Sequence, residues 1–501
     1  MQITVDSGDI ASSDAPCIVV NLFEGITAPG GATGAVDSAL AGMITQLIAA
    51  GDIRGKPGEL HLLHTFGKIP APRVLVAGLG KSGEFTVDKV RDLSANVSRY
   101  LRTRRIERYA TIAHGGGVAG LDAEACAQAI AEGAILGLYR FDRHKKTDDD
   151  ATEISAVSVV EHDGAKLNAV HAGVDRGVAM AEAANFARDL ANEPANVLTP
   201  TEFAARVEVM AADAGLAYEV HDRAWAEAKG MGSFLSVTRG SAQPPVFMEL
   251  RYDGGVDTKP VALVGKGITF DTGGISIKPA AGMEEMKGDM SGGAAVAGAM
   301  MAIARIEPKV NVRAFIPATE NMPGGNATKP GDVVRAMNGK TIEVINTDAE
   351  GRLILADAMC YACDEGCTPI VDVATLTGAI SVALGDLAFG VFGNNDPLLE
   401  RIKRAGEQAG EKSWPFPTWP EYKELNKSNI ADVKNTGGRG AGSIAAAMFL
   451  REFVDDRPWA HLDIAGVDFY DKEKGVIVKG GSGVPVRTLV NLVLGLADNP
   501  V

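Results

Sequence analysis

Three charged side chains spaced two residues apart are the part of this sequence best suited to chemistry. The run Asn346–Leu353 places Asp348, Glu350 and Arg352 at alternate positions, directly after an apolar stretch. If that stretch continues as a β-strand, all three side chains leave the same face of it. Two carboxylates and a guanidinium are poor core material, because buried charges need partners or a metal ion.

A second charged segment lies upstream and complements the first. Lys266 and Asp271 stand in a glycine-rich run, and Lys278 and Asp289 follow it. The two segments together supply four carboxylates, two lysines and one arginine. Carboxylates that bridge two divalent cations are usual in two-metal hydrolytic sites. This combination therefore predicts a hydrolytic site that holds two metal ions.

The predicted secondary structure could bring these segments to one place. In open α/β sheets, sites open beyond the carboxyl ends of the strands. Lys266 follows a predicted buried strand at 261–264, and Asp289 precedes a predicted helix rich in small residues. The first charged segment follows a predicted strand at 342–345. We therefore expect both segments to lie at the same edge of one sheet.

Short apolar runs alternate with helical patterns along the chain, which is typical of an α/β fold. Near-continuous apolar strands between helices indicate mainly parallel sheets covered on both faces. In the first region, strands are predicted at 17–22, 59–64, 73–78 and 154–160, helices at 87–104 and 123–138, and a polar loop at 142–150. In the second, a long helix is predicted at 174–191, and strands at 246–252, 261–264, 310–316, 370–373 and 459–464.

Several separated motifs resemble the leucyl aminopeptidase family of cytosolic dinuclear metallopeptidases. NTDAEGRL at 346–353 reads as that family's signature, and VGKGITFDTGGISIKPAAGMEEMKGDM at 264–290 resembles its metal-binding region. Further agreement comes from NEPANVLTP (192–200), ATLTGA (374–379), NTGGRGAGSIAAAMFL (435–450) and HLDIAGV (461–467). The resemblance covers residues 180–495 well and residues 1–170 loosely. It implies two α/β domains, each with a mainly parallel central sheet flanked by helices. We expect an N-terminal domain at 1–170, a linking helix at 171–192 and a catalytic domain at 193–501.

The resemblance also implies the metal ligands. One metal ion would take Lys266, Asp271, Asp289 and Glu350, and the other would take Asp271, Glu350 and both the side chain and the carbonyl of Asp348. Lysine can ligate only as a neutral amine, because an ammonium has no lone pair. A salt bridge from Lys266 to Asp271 is the alternative for this lysine. Carboxylate oxygens suit manganese or zinc, with geometry and availability deciding between them.

Other residues receive roles around the metal ions by the same resemblance. Lys278 would remain an ammonium and stabilise the oxyanion of the tetrahedral intermediate. Arg352 would bind bicarbonate, which acts as general base, although a structural salt bridge is its alternative. The segment with Thr375, Leu376 and Gly378 would bind the peptide backbone and form the side-chain pocket with Met286. Met286 could equally be ordinary core packing.

These assignments predict an aminopeptidase that removes the N-terminal residue of peptides with a free α-amine, using water activated by two metal ions. A two-metal phosphoesterase and a non-catalytic scaffold of the same fold are the rival interpretations. The lysine ligand and the motifs argue against the first, and the complete ligand set argues against the second. By resemblance we also expect a homohexamer.

Bulk composition limits the remaining possibilities. The net charge of −15 does not favour nucleic-acid or anionic-membrane binding, and the longest apolar runs are too short for a membrane span. Five cysteines in 501 residues do not form a disulfide framework, which fits a cytoplasmic protein. The three of them at positions 360, 363 and 367 are interpreted as buried residues of one helix rather than a metal site.

Two further patterns in the first region are interpreted as structural. The glycines at 78, 80 and 83 match a dinucleotide-binding motif, but the acidic residue expected about 20 positions later is missing, so we predict a plain strand-to-helix turn. Five arginines between 99 and 108 are interpreted as a solvated helix end.

Overall fold

The computed structural model describes residues 1–115, 120–146 and 152–499, so the predicted loop at 142–150 lies partly outside the described residues. The chain forms two compact units. The first unit contains residues 1–182 together with residues 472–478. The second unit contains residues 183–471 and the chain from residue 479 onward. The division falls within the long helix Leu167–Asn192, which is longer than the predicted helix at both ends.

The first unit contains a six-stranded sheet in the order β1-β6-β5-β2-β4-β3. Every neighbouring pair in it is parallel except β3 with β4. The predicted α/β architecture is therefore confirmed for this unit. Its strands are β1 (Gln2–Ser7), β2 (Ile18–Phe23), β3 (Leu60–His64), β4 (Arg73–Gly80), β5 (Arg108–Ile112) and β6 (Ala156–Glu161), and its helices are α1 (Gly31–Ala39), α2 (Met43–Ala50), α3 (Val87–Thr103), α4 (Ala123–Leu138) and the first part of α5 (Leu167–Asn192).

The two patterns singled out in this unit have structural explanations. The glycine motif ends β4 and leads through a short 3-10 turn at Ser82–Glu84 into α3, as predicted. The expectation of a solvated arginine cluster is wrong for Arg99 and Arg102, whose side chains are 12% and 15% exposed. They donate to the carbonyls of residues 137 and 138 at the end of α4, where a cation complements the unpaired carbonyl groups.

The second unit is built on a larger mixed sheet in the order β16-β15-β18-β14-β9-β11-β8-β7. A further strand, β10, pairs with β11 and stands outside this order. Its central strands β18, β14, β9 and β11 are parallel, whereas β15, β8 and β7 join antiparallel at the edges. The strands of this unit are β7 (Ala217–His221), β8 (Val246–Tyr252), β9 (Val261–Gly265), β10 (Gly267–Asp271), β11 (Val312–Asn321), β12 (Val333–Arg335), β13 (Thr341–Glu343), β14 (Ile370–Ala374), β15 (Phe389–Gly393), β16 (Ser413–Pro415), β17 (Val433–Lys434), β18 (Trp459–Asp463), β19 (Phe469–Tyr470) and β20 (Gly480–Gly481).

Helices cover this sheet, and two of them approach its carboxyl edge. The helices are α6 (Pro200–Ala214), α7 (Arg223–Ala228), α8 (Gly232–Val237), α9 (Ser291–Ile306), α10 (Gly351–Asp364), α11 (Gly378–Leu384), α12 (Asp396–Ala409), α13 (Gly442–Leu450) and α14 (Val486–Asp498). The start of α9 packs tightly on β9, because a Cβ on Gly265 would come within 2.6 Å of the Gly293 Cα. Small residues on both elements thus bring the residues before α9 next to the end of β9.

The three cysteines at positions 360, 363 and 367 are buried, as predicted. Cys360 and Cys363 lie on α10 and Cys367 lies just beyond it, and all three are buried free thiols. Within the residues that the structure describes, no single helix is long and apolar enough to cross a membrane. The bent pair α1 and α2 reaches that length and composition only when its two helices are taken together.

Candidate metal centre

A cavity of about 590 Å³ opens in the second unit, beyond the carboxyl ends of its parallel strands. Its wall contains every predicted site residue except Arg352: Lys266, Asp271, Lys278, Met286, Asp289, Asp348, Glu350, Thr375, Leu376 and Gly378. The sheet topology explains the convergence. β9, β10 and β14 all end at this edge, and a charged or polar segment of the chain follows each of them.

Lys266 lies at the buried end of the cavity and is 2% exposed. Its Nζ donates to Asp289 Oδ1 at 2.7 Å and to the Thr375 carbonyl at 3.0 Å, and it pairs with Glu350 Oε1 at 2.9 Å. A Cβ on Gly351 would come within 2.6 Å of the Lys266 Cε, so glycine at this position leaves room for the lysine side chain where it now lies. The alternative pairing with Asp271 is replaced by these contacts.

Lys278 occupies the more open side of the same cluster. Its Nζ lies 2.8 Å from Asp271 Oδ2 and 2.5 Å from Asp348 Oδ1, and its side chain is 21% exposed. Asp271, Asp348 and Glu350 each offer an oxygen within 4.8 Å of the others. The structure therefore collects three carboxylates from two distant segments at one point, with one lysine on each side.

The electrostatics of the cluster reflect an excess of negative charge. Burial and the neighbouring Glu350 raise the pKa of Asp271 to about 6, and burial raises the pKa of Asp289 well above its usual value. Burial opposes the charge of Lys266, but Asp289 and Glu350 outweigh it and raise the pKa of this lysine. Burial also opposes the charge of Glu350, yet Lys266 and Lys278 outweigh it and lower the pKa of that carboxyl.

The predicted strand geometry of the first charged segment is wrong. β13 ends at Glu343, and the chain then turns, with the Asn346 Oδ1 accepting from the Asp348 N–H at 2.9 Å. Glu350 stands at the start of α10. The two carboxylates therefore converge through a turn and a helix start, not through the alternation of a strand.

Arg352 separates from the carboxylates because it lies in the first turn of α10. It is 6% exposed, and burial lowers the pKa of its guanidinium to about 10. Its Nη1 donates to the Asn435 carbonyl at 2.7 Å, and its buried Nε has no partner among the described residues. Arg352 therefore contacts a carbonyl group where a structural salt bridge was the alternative, and its Nε remains available as a donor.

The segment after β14 is held in place by a buried carboxylate that the sequence did not single out. Asp463, the last residue of β18, accepts from the Leu376 N–H at 3.0 Å and from the Thr377 hydroxyl at 2.6 Å. Thr375 in turn donates its hydroxyl to Asp289 Oδ1 at 2.8 Å. The position of Asp463 at the end of a predicted parallel strand was the signal that could have revealed it.

Asn321 is a second site residue that the sequence did not single out. It ends β11, beside β10, and is 4% exposed. Its Nδ2 donates to Asp271 Oδ1 at 2.7 Å and to the Thr347 carbonyl at 3.0 Å, and it lies 3.3 Å from Glu350 Oε2. One amide group thereby orients carboxylates from both charged segments.

The donor set fits divalent cations. Four carboxylates face two ammonium groups, so the cluster carries a surplus of negative charge. Burial, with a smaller contribution from neighbouring carboxylates, raises the pKa values of Asp271 and Asp289. Asp289 Oδ2 is buried and has no hydrogen-bond partner among the described residues. A buried carboxylate oxygen without a partner is costly unless a cation or donor reaches it.

Comparison with known proteins identifies the family. The model described as "Cytosol aminopeptidase family, catalytic domain" matches residues 185–490, and the model of the family's N-terminal domain matches residues 19–148. A "Probable cytosol aminopeptidase" of Alkaliphilus metalliredigens is 45% identical over 495 residues, 98% of this chain and 99% of that protein. The chain belongs to the cytosol aminopeptidase family. A relative of the same description from Solibacter usitatus is 47% identical over 500 residues, 99% of each chain.

Solved structures agree with membership of the cytosol aminopeptidase family. The bottromycin maturation enzyme BotP has a TM-score of 0.85 and 36% identity, over 97% of this chain and 100% of that one. BotP is also known in complex with Mn. A mutant of tomato leucine aminopeptidase has a TM-score of 0.85 and 32% identity, over 99% of this chain and 96% of that one.

Family membership confirms three predictions made from the sequence. The chain is an aminopeptidase, it is a metal-dependent hydrolase, and it has the two-domain α/β architecture of the cytosol aminopeptidase family. The resemblance seen in the motifs is therefore correct, including its looser extension over the first region.

Proposed function

We propose that the cavity of the second unit is a dinuclear centre that removes the N-terminal residue from peptides with a free α-amine. The observation that carries this proposal is the convergence of Asp271, Asp348 and Glu350 within 4.8 Å, flanked by Lys266 and Asp289. These five residues would hold two divalent ions. Lys266, Asp271, Asp289 and Glu350 would hold one ion, and Asp271, Asp348 and Glu350 would hold the other.

The two ions would be Mn²⁺ or Zn²⁺, and when bound they would acidify water and polarise the scissile carbonyl. Lys266 must give up its proton to serve as a ligand, because only the neutral amine has a lone pair. Bound cations would share the carboxylates that raise the pKa of Lys266, and this would favour its neutral form.

Lys278 would keep its proton and act on the substrate. Unlike Lys266, whose side chain is 3% exposed, Lys278 remains partly open to solvent, and hydration favours its charged ammonium form. Its side chain is 21% exposed and lines the cavity, where it can donate to the carbonyl oxygen that gains charge during attack. Lys278 would therefore be the electrophilic group of the reaction.

Arg352 would bind a bicarbonate ion that takes a proton from water. This role is supported by the buried Nε of Arg352, which has no partner among the described residues and leaves one edge of the guanidinium available to an anion. Arg352 lies outside the cavity wall, in the first turn of α10. Bicarbonate dependence of turnover, lost in Arg352→Met, would test this role separately from metal binding.

The substrate would lie along the segment after β14. The backbone at Thr375, Leu376 and Gly378 would bind the peptide, and Met286 would contact the side chain of the N-terminal residue. Asp463 supports this arrangement, because it accepts a hydrogen bond from the N–H of Leu376 and so orients the segment.

We further propose that the enzyme works in the cytoplasm as a homohexamer. Light scattering would detect this as a particle about six times the mass of the 52.2 kDa chain.

A substrate comparison tests the activity. The purified protein is loaded with Mn²⁺ and given leucyl-p-nitroanilide, its N-acetyl derivative and p-nitrophenyl phosphate. We expect cleavage of the first compound alone, loss of activity with a chelator and recovery with Mn²⁺ or Zn²⁺. Equal cleavage of the acetylated compound would refute the requirement for a free amine, and cleavage of the phosphoester alone would support the rival phosphoesterase.

A further inference from the structure

The cavity contains more negative charge than its metal ligands need. Beyond the proposed ligands, its wall includes Glu285, Asp386, Asp468 and Asp471. The basic side chains of the same wall are Lys266 and Lys278, and the ligand carboxylates already engage both. The cavity therefore favours cations beyond the two metal ions, and its acidic groups indicate where a cationic part of the substrate would bind.

Asp468 is the acidic residue most firmly built into this wall. It follows β18, and its Oδ1 accepts from the Gly466 N–H at 3.2 Å. Its backbone N–H donates to the Ile464 carbonyl at 3.1 Å, and its carbonyl accepts from the Ser482 N–H at 2.8 Å. These bonds fix both the backbone and one carboxylate oxygen, so Asp468 presents its charge in one orientation.

The second oxygen of Asp468 faces the element that carries Met286. It lies 3.7 Å from the position that a Cβ on Gly288 would take, and Gly288 closes the 3-10 helix Met283–Gly288. Asp289, a proposed metal ligand, follows directly. The carboxylate thus stands beside the short helix that carries Met286, and Met286 and Ala465 line the same cavity.

A cavity wall that combines apolar groups such as Met286 with the carboxylate of Asp468 matches one class of side chain. Lysine and arginine bury an alkyl stem along apolar surface and place a cation at its end. A neutral side chain such as norleucine would contact the apolar groups but leave the carboxylate unpaired. An acidic side chain would be repelled by Asp468 and by Glu285, which lies nearby and adds to the negative potential.

Building on the aminopeptidase function proposed above, we propose that Asp468 makes the enzyme select peptides whose N-terminal residue is lysine or arginine. The cation of that residue would pair with the Asp468 carboxylate, and its stem would lie against Met286. Since the pairing exists equally in the bound substrate and in the transition state, it should act mainly on KM.

The test compares aminoacyl-p-nitroanilides of lysine, arginine, norleucine and glutamate. The enzymes are the wild type, Asp468→Asn and, as matched control, Asp213→Asn on α6, outside the cavity wall. We expect lysyl and arginyl substrates to be best and the glutamyl substrate to be worst for the wild type. Asp468→Asn should lower the lysyl-to-norleucyl ratio of kcat/KM roughly 10- to 100-fold, mainly through KM, the scale of one hydrogen bond to a charged group. Asp213→Asn, at an exposed position outside the cavity, should change that ratio less than threefold.

The outcomes separate the two proposals. Cleavage of norleucyl substrate as fast as lysyl substrate by the wild type, or an unchanged ratio in Asp468→Asn, would overturn the selectivity while leaving the aminopeptidase intact. Failure to cleave any of the four would overturn both. If Asp468→Asn does not fold, inhibition of the wild type by free lysine against free norleucine decides, with stronger inhibition by norleucine as the refuting result.

Discussion

Replacing each site lysine by alanine should separate their two roles. Lys266 is 2% exposed and contacts Asp289, Glu350 and the Thr375 carbonyl. Lys278 is more open and contacts the carboxylates of Asp271 and Asp348. If Lys266 is a ligand and Lys278 an electrophile, Lys266→Ala should lose metal ion, whereas Lys278→Ala should keep both ions and lose turnover.

The structure sets the size of both effects. Lys266→Ala leaves the buried carboxylates of Asp289 and Glu350 without their cation, and breaking a buried ion pair costs about 3–5 kcal/mol. The metal-free variant should therefore unfold at a clearly lower temperature than the wild type. Lys278→Ala removes a partly solvated cation, so its effect on unfolding should be smaller, but its turnover should fall roughly 10²–10³-fold, the scale of one oxyanion donor.

Three measurements on the purified variants decide between these roles. Metal content per chain is determined after gel filtration, the unfolding temperature is measured with and without Mn²⁺, and kcat is measured at saturating Mn²⁺. Lys266→Arg serves as a matched control that keeps the charge, and it should also lose metal because guanidinium offers no lone pair. If Lys278→Ala loses metal while Lys266→Ala retains both ions, the assignment of the two lysines is wrong.

Three further predictions concern residues around the site and in the first unit. Asn321→Ala should weaken Mn²⁺ affinity roughly 10- to 100-fold in a metal titration, because its amide orients two carboxylates, and unchanged affinity would refute that role. Gly351→Ala should lower metal content, since its new methyl group would stand within 2.6 Å of the Lys266 Cε; full metal occupancy would show that the lysine can move aside. His114 is buried with a pKa lowered to about 4, its ring nitrogens contacting Asn21 and Thr111. It stays neutral in the folded state while the unfolded state gains a proton below about pH 6.5, so stability should fall by about 2 kcal/mol from pH 7 to pH 5. Urea titrations of the wild type and His114→Gln at both pH values check this, and equal losses in the two proteins would contradict it.

The elements that position the site were largely predictable from the sequence. The strands at 246–252 and 261–265 and the helix that starts at Ser291 occur where apolar runs and small residues placed them. Their signals are local, because a buried parallel strand needs a continuous apolar run and a tightly packed helix needs small residues. β7 and β15, towards the two ends of the sheet, were not predicted as strands, and neither was their antiparallel pairing.

The geometry of the Asp348–Glu350 segment could not be obtained in the same way. Alternate charges after an apolar run fit an extended strand, yet Asn346 accepts a hydrogen bond from the Asp348 N–H and turns the chain. The side chain of an asparagine competes with the strand ladder for backbone donors, and this local bond decides the conformation. The carboxylates still converge, but Arg352 is carried into α10 and away from the cavity wall.

The residues that the sequence missed share a physical property: their partners determine what they do. Asn321 is an ordinary amide until β10 and the turn at Thr347 bring three acceptors to its Nδ2. Asp463 anchors a segment that lies 86 residues or more away in sequence. Charged ligands can be recognised in the sequence, because a charged residue in a buried segment needs a partner or a metal ion. An amide that only orients such ligands has no comparable sequence signal. Sequence reasoning therefore finds the groups that bind a cation before it finds the groups that hold those ligands in place, and only the register of β10 against β11 assigns Asn321 its role.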